Sequence, residues 1–178
     1  MQDRHIAFLR AINVGKRRVK MDHLRTLFEA LGFANVATFI ASGNVIFEAA
    51  VEDTRALEQQ IERHLRQELG YEVTTFVRSA AELSAIAQHQ PFPASEVEGH
   101  ALSIAFLSSP PPDEAAQKLL SLRTEIDDFV VHEREVYWLC RTRLSESAFS
   151  GGLLEKTLGM AATVRNVTTV QKLAAKVT

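Results

Sequence analysis

The chain has 178 residues, with 20 Lys+Arg against 22 Asp+Glu, a net charge of −2 and a pI near 6.3. That balance argues against a globally basic nucleic-acid wrapper and leaves room for a local basic patch. Apolar residues at 46% and charged residues at 24% are globular values that argue against disorder.

Residues 5–12, His-Ile-Ala-Phe-Leu-Arg-Ala-Ile, form a nearly continuous apolar run of strand length. A polar loop, Asn13 to Lys20, follows it. Met21, Leu24, Leu27, Phe28 and Leu31 then recur at offsets of three and four before Gly32, which predicts an amphipathic helix with a glycine stop. Val36 to Ala41 and Asn44 to Phe47 read as strands around the turn signal Ser42-Gly43. Asp53 is a suitable N-cap for a helix carrying Leu57, Ile61, Leu65 and Leu69; Gly70 ends it, and Glu72 to Val77 returns as a strand. The order is β-α-β-β-α-β.

Ser79-Ala80-Ala81-Glu82 has the capping-box form and should open a short connector helix, broken at Gln90-Pro91-Phe92-Pro93. The same order then repeats. Ala101 to Leu107 is a strand, and a helix carrying Ala116, Leu119 and Leu120 follows Pro112. Asp128 to Val131 and Val136 to Cys140 are strands. Phe149 to Leu158 marks a helix fronted by Ser150 and stopped by Gly159. Met160 to Val164 is a last strand, and Thr168-x-x-Gln171 opens a C-terminal helix. The expected fold is therefore α+β: two ferredoxin-like β-α-β-β-α-β units related by duplication, with a C-terminal helix. The expected organisation is a first unit over 1–78, a helical connector over 79–99, and a second unit with its C-terminal helix over 100–178. One larger mixed sheet is the alternative.

Topology then predicts a juxtaposition. The loop after the first strand and the turn between the second and third lie at one end of the sheet, so Asn13 to Lys20 should sit beside Ser42-Gly43-Asn44. That loop is basic. Residues 1–25 carry seven cationic side chains against Asp3 and Asp22, a net +5, whereas residues 48–72 carry a net −4. Cations beside a helix N-terminus are the parts of an anion site, and phosphate is the usual biological anion. A solvated cationic loop is the plainer reading. Arg10, read within the apolar strand, needs a partner if covered; Glu48 on the neighbouring strand is the candidate, and a ligand in a cleft is the alternative.

Ala7-Phe8-Leu9-Arg10-Ala11-Ile12-Asn13-Val14-Gly15, Met21 to Leu31 and Ser42-Gly43-Asn44-Val45-Ile46-Phe47 resemble the bacterial family named domain of unknown function 1697. Gln90-Pro91-Phe92 and Thr163 to Val170 are similar to its later landmarks. The resemblance implies a small α+β protein built of ferredoxin-like halves; it supplies no activity, substrate or cofactor. The family pattern has glycine where this chain has Ala11 and Lys16, and tryptophan where it has Val167. The matching polar positions are Arg10, Asn13, Ser42, Asn44, Arg165, Asn166 and Thr169. With Lys16 and Lys20 from the basic loop, they are the candidate ligand-binding residues.

The other constellations are weaker. The six histidines form no HExxH or close ligand pair, so no metal or cofactor is expected, and His64 reads as solvated. Ser42 lies in no nucleophile elbow. The lone Cys140 reads as core, excludes an intrachain disulfide and fits a reducing cytosol. No stretch approaches the ~18 apolar residues of a membrane span, and Arg10 interrupts the early apolar run where a signal peptide would need continuity. A cytoplasmic location is the expectation. An RNA-recognition surface lacks its aromatic-rich strand, so nucleic acid ranks below a small anionic ligand as partner. An enzyme using the same pocket and a homodimer formed through an uncovered sheet face are the alternatives.

Overall fold

Helix ends in this chain are set by local polar chemistry. The Asp53 carboxylate accepts from Arg55 N at 2.9 Å and Ala56 N at 3.3 Å, and Ser150 Oγ accepts from Leu153 N at 3.2 Å. Ser79 and Glu82 form the reciprocal box, Ser79 N donating to Glu82 at 2.9 Å and Glu82 N to Ser79 Oγ at 3.1 Å. Gly70 closes its helix in the left-handed conformation that a side chain would oppose.

Those signals delimit the elements of the computed structural model, which describes residues 2–13, 17–40 and 43–178. In order they are β1 (Asp3–Leu9), α1 (Met21–Glu29), β2 (Ala34–Thr38), β3 (Asn44–Ala49), α2 (Thr54–Leu69), β4 (Thr75–Ser79) and α3 (Ala80–Gln88). Then come α4 (Ala94–Val97), β5 (Ala101–Phe106), α5 (Asp113–Leu120), β6 (Asp127–His132), β7 (Glu135–Cys140), α6 (Gly151–Leu158), β8 (Thr163–Asn166) and α7 (Val167–Val177). Two four-stranded antiparallel sheets result, ordered β2-β3-β1-β4 and β6-β7-β5-β8, each the ferredoxin-like order. The fold is α+β and duplicated. The chain divides into two compact units, one comprising Met1–Ile86 with Leu173–Thr178, the other Ala87–Lys172.

In the first unit Ala7, Leu9, Val45, Phe47 and Val77 pack under Leu24, Leu27 and Phe28 of α1 and Leu57, Ile61 and Leu65 of α2. In the second, Ala105, Leu107, Phe129, Val136 and Trp138 pack under Leu119 of α5 and Leu154 and Leu158 of α6. The opposite sheet faces are covered too: Ile6, Phe8 and Phe76, and Ile104 and Phe106, have no exposed surface. A central strand buried on both faces reads as an unbroken apolar run, which is why β1 and β5 lack alternation.

The repeat reaches individual residues. Ile6-Ala7-Phe8-Leu9 recurs as Ile104-Ala105-Phe106-Leu107, and Val77-Arg78 as Val164-Arg165. The registers match, with Ile6 opposite Arg78 and Ile104 opposite Arg165. Both guanidiniums turn back on the preceding carbonyl: Arg78 Nη1 donates to Val77 O at 3.0 Å, and Arg165 Nη1 to Val164 O at 3.1 Å.

Several local expectations are corrected. The second strand runs Ala34–Thr38 because a register shift between Ala34 and Ala37, with Asn35 at φ 50°, displaces its pairing. Thr168 does not cap α7; Asn166, two residues earlier, accepts Thr168 N on its Oδ1 at 2.8 Å. The connector holds a second short helix, α4. His64 is half-buried with Nε2 covered, not solvated. Glu58, on a helix that reads as amphipathic, is fully buried: its carboxylate accepts Val77 N of the edge strand β4 at 2.8 Å and Arg55 Nη1 at 3.3 Å.

Burial raises the Glu58 carboxyl above its ordinary range, against the Val77 amide and Arg55, and burial raises Glu62 as well. A folded-state pKa above the unfolded one gives stability that is full below the unfolded pKa and lost as pH rises through the folded one. Glu58→Gln keeps an acceptor for Val77 N and removes that loss. Its unfolding free energy in urea should therefore fall less than the native protein's between about pH 4 and pH 7. Glu58→Leu, which strands the amide, should cost about 1–3 kcal/mol at any pH.

Candidate functional site

The first unit brings the end of β1 against the tip of the β2–β3 hairpin. Leu9 N donates to Gly43 O at 2.9 Å, and Arg10 N donates to Thr74 O at 2.9 Å. Gly43 has φ +81°, and a Cβ placed there would stand 2.6 Å from Ile12 Cγ2 and 3.1 Å from Leu9 Cβ. Only glycine lets the hairpin tip close onto the loop this tightly. Asn44 is fully buried; its Nδ2 donates to Phe39 O at 2.9 Å, while Phe39 N donates to Asn44 O at 2.9 Å. Its amide thus holds the hairpin closed.

The loop after β1 is tied at its base. Asn13 Oδ1 accepts Val19 N at 2.8 Å, and Val19 is buried. Arg17 lies over the Tyr71 ring, with Cζ 4.4 Å from the centroid, and Arg18 Nη1 donates to Arg17 O at 2.9 Å. Lys20 occupies the N-cap position of α1; lysine has no acceptor, and no side chain among the described residues caps this helix. Asp22 in its first turn is drawn toward Arg25 at 3.7 Å, which also meets Glu29 at 3.4 Å. Exposed cations at 17, 18 and 20 and half-buried Arg10 thus share a loop with an N-terminus whose first amides lack a side-chain acceptor.

Strain collects at the same end. Of four described non-glycine residues with positive φ, Ala11 (55°) follows β1 and Ile40 (60°) follows β2. Ile40 is β-branched and 52% exposed, a costly conformation for such a side chain.

The candidates separate by unit. Arg10, Asn13, Lys20 and Asn44 belong to the first; Arg165, Asn166 and Thr169 belong to the second. Lys16 and Ser42 lie outside the described residues. Arg10 sits in the turn past β1 rather than within the strand, and Glu48 is not its counterpart. Glu48 faces Arg4 in register and meets it at 3.4 Å, with Asn35 Nδ2 at 2.9 Å. Six residues of strand separate the two sites, about 20 Å. Arg165 is buried, donates to Thr163 Oγ1 at 2.7 Å, and is lowered to about 10 by burial, still cationic at neutral pH. Asn166 caps α7. Sequence reasoning counted Arg17 and Arg18 only as charge; the tyrosine after the Gly70 stop is the sole signal for the Arg17 stack. Among the described residues no group of three or more side chains could hold a metal, and no helix is long and apolar enough to cross a membrane. Burial also raises the Cys140 thiol and the Tyr137 hydroxyl, as expected of core groups.

The fold and this loop cluster define a duplicated ferredoxin-like α+β protein with a basic end on its first unit. The chain belongs to the family described as Protein of unknown function (DUF1697), whose model matches residues 2–137. The landmarks at Thr163 to Val170 fall beyond the matched residues. The solved structure of the conserved bacterial protein SP0830 from Streptococcus pneumoniae is similar over 100% of both chains, with TM-score 0.81 at 21% identity. That likeness concerns the fold alone. No curated protein matches the chain.

Two substitutions check this geometry by equilibrium denaturation. Gly43→Ala combines a left-handed backbone with the contacts on Ile12 and Leu9 and should cost about 2–4 kcal/mol, against about 1 kcal/mol for Gly70→Ala, where nothing lies within 4 Å. Ala11→Gly should stabilise by about 1 kcal/mol by relieving its positive φ.

Proposed function

We propose that the protein binds a small phosphorylated or otherwise anionic ligand at the β1–α1 end of its first unit. The observation that carries this reading is the seating of Gly43 on Leu9 and Ile12, which holds the hairpin tip beside a loop carrying Arg10, Arg17, Arg18 and Lys20. The α1 N-terminus supplies amides without a side-chain acceptor, and the Asn13–Val19 bond pre-shapes the loop. Lys16 and Ser42 belong to the same loop and turn in the sequence and complete the proposed set. Asn44 supports the turn rather than meeting the ligand. Arg165, Asn166 and Thr169 stand outside it: the first two already have local roles, in a buried hydrogen-bond set and a helix cap.

Nucleic acid is disfavoured as the ligand because Phe8 and Phe47, the aromatics of the two central strands, are fully buried and offer no stacking platform. Calorimetric titration with pyrophosphate, a nucleoside triphosphate and a short oligonucleotide, at low and high salt, tests the proposal. Heat should appear with the small phosphates and diminish with salt, and Lys16→Ala with Lys20→Ala should weaken binding about tenfold or more. Absence of heat with every anion, or unchanged affinity in the double variant, would refute it.

A further inference from the structure

The second unit contains a cavity of about 370 Å³ beneath the Gln90-Pro91-Phe92 segment. That volume lies within the range of small-molecule pockets, about 300–1,000 Å³. Phe92 and Leu102, both buried, form part of its lining with Val97 and Val167. The walls thus come from the connector, α4, β5 and the first turn of α7.

Three hydrogen-bonding side chains, Gln90, Glu98 and Gln171, also line it, all three exposed to solvent. None makes a hydrogen bond or ion pair with the described residues. Gln171 is the residue that the capping-box pattern would have tied to the helix start; Asn166 has taken that role and leaves it at the cavity. His89 is the remaining polar wall, and its ring is engaged elsewhere, stacked 4.2 Å from His132 and edge-on to Tyr137 at 5.1 Å. Burial and His132 hold it toward its neutral form. No lysine or arginine lines the cavity, so its one fixed charge is the Glu98 carboxylate.

The segment is also pre-shaped. Pro91 and Pro93 restrict the backbone above the cavity, and Gly99 at φ +79° turns the chain from Glu98 into β5. An apolar cavity with a single solvent-exposed carboxylate and two exposed amides along its lining complements a ligand with a ring-sized apolar body buried in it and one ammonium group left at the solvent side, and disfavours a carboxylate or phosphate there. We propose that this cavity is a second binding site, independent of the basic loop, for a small amphiphilic amine.

Titration of the ¹⁵N-labelled full chain with tryptamine, indole and indole-3-propionate, followed by amide shifts, tests it. Saturable shifts should centre on Phe92, Val97, Leu102 and Val167, with affinity ordered tryptamine, then indole, then indole-3-propionate. Glu98→Gln should erase the preference for tryptamine over indole, a loss of about fivefold or more, while indole still binds. Val167→Trp should fill the cavity and abolish binding of all three; the Glu98→Gln result decides the matter if that variant fails to fold. A tryptophanyl-glycine dipeptide should bind more weakly than tryptamine; tighter binding would reassign the site to peptide amino termini. No saturable shift, shifts centred elsewhere, or propionate binding as well as the amine would each overturn the proposal.

Discussion

Each unit of this protein buries a guanidinium where its last strand ends. Arg78 has no exposed surface and Arg165 has 8%, yet arginine keeps its charge at neutral pH even where burial lowers it to about 10. A buried cation must be met by acceptors, so the second face of each sheet is more than an apolar layer. In both units the side chain folds back to the carbonyl before it, and both arginines have further partners. The facing isoleucine, Ile6 or Ile104, sits in a tetrapeptide repeated without change. The two units thus share this arrangement in register and in the hydrogen bond to the preceding carbonyl.

What diverged is chemistry at the edges of the scaffold. The first unit gathers cations after its first strand and shows backbone strain at Ala11 and Ile40 beside them. The second has a proline-rich end to the same strand's loop, and its connector side holds an apolar cavity with one carboxylate. One wiring diagram thus carries a cationic loop in one unit and an apolar cavity with a lone carboxylate in the other, which is why fold alone says little about activity here.

Element order and helix ends were legible in the sequence because they follow from local chemistry. Asp53, Gly70, the Ser79–Glu82 box, Ser150 and Gly159 each act within a few residues of themselves. The approach of the end of β1, at Leu9 and Ile12, to the turn at Gly43 was legible too, since antiparallel topology dictates it. Less legible were features that depend on distant partners. Arg10 and Glu48 looked like neighbours until the β1–β3 register placed Arg4 opposite Glu48. Nothing in the spacing singles out Glu58 for burial; the edge amide of Val77 and the Arg55 guanidinium that meet its carboxylate come from the fold. The Thr168 box was the expected start of α7; Asn166, the last residue of β8, caps it instead, a choice that spacing alone does not decide.

The strand-to-helix junctions carry one more implication. Ser79 pairs with His5 in the sheet and caps α3; Asn166 pairs with Ser103 and caps α7. No linker residue separates the two tasks, so an edge strand cannot peel away without releasing the first turn of the helix behind it. Local opening at either boundary is thereby a joint event, and the chain has no slack there in which one element could fray while the other stays intact.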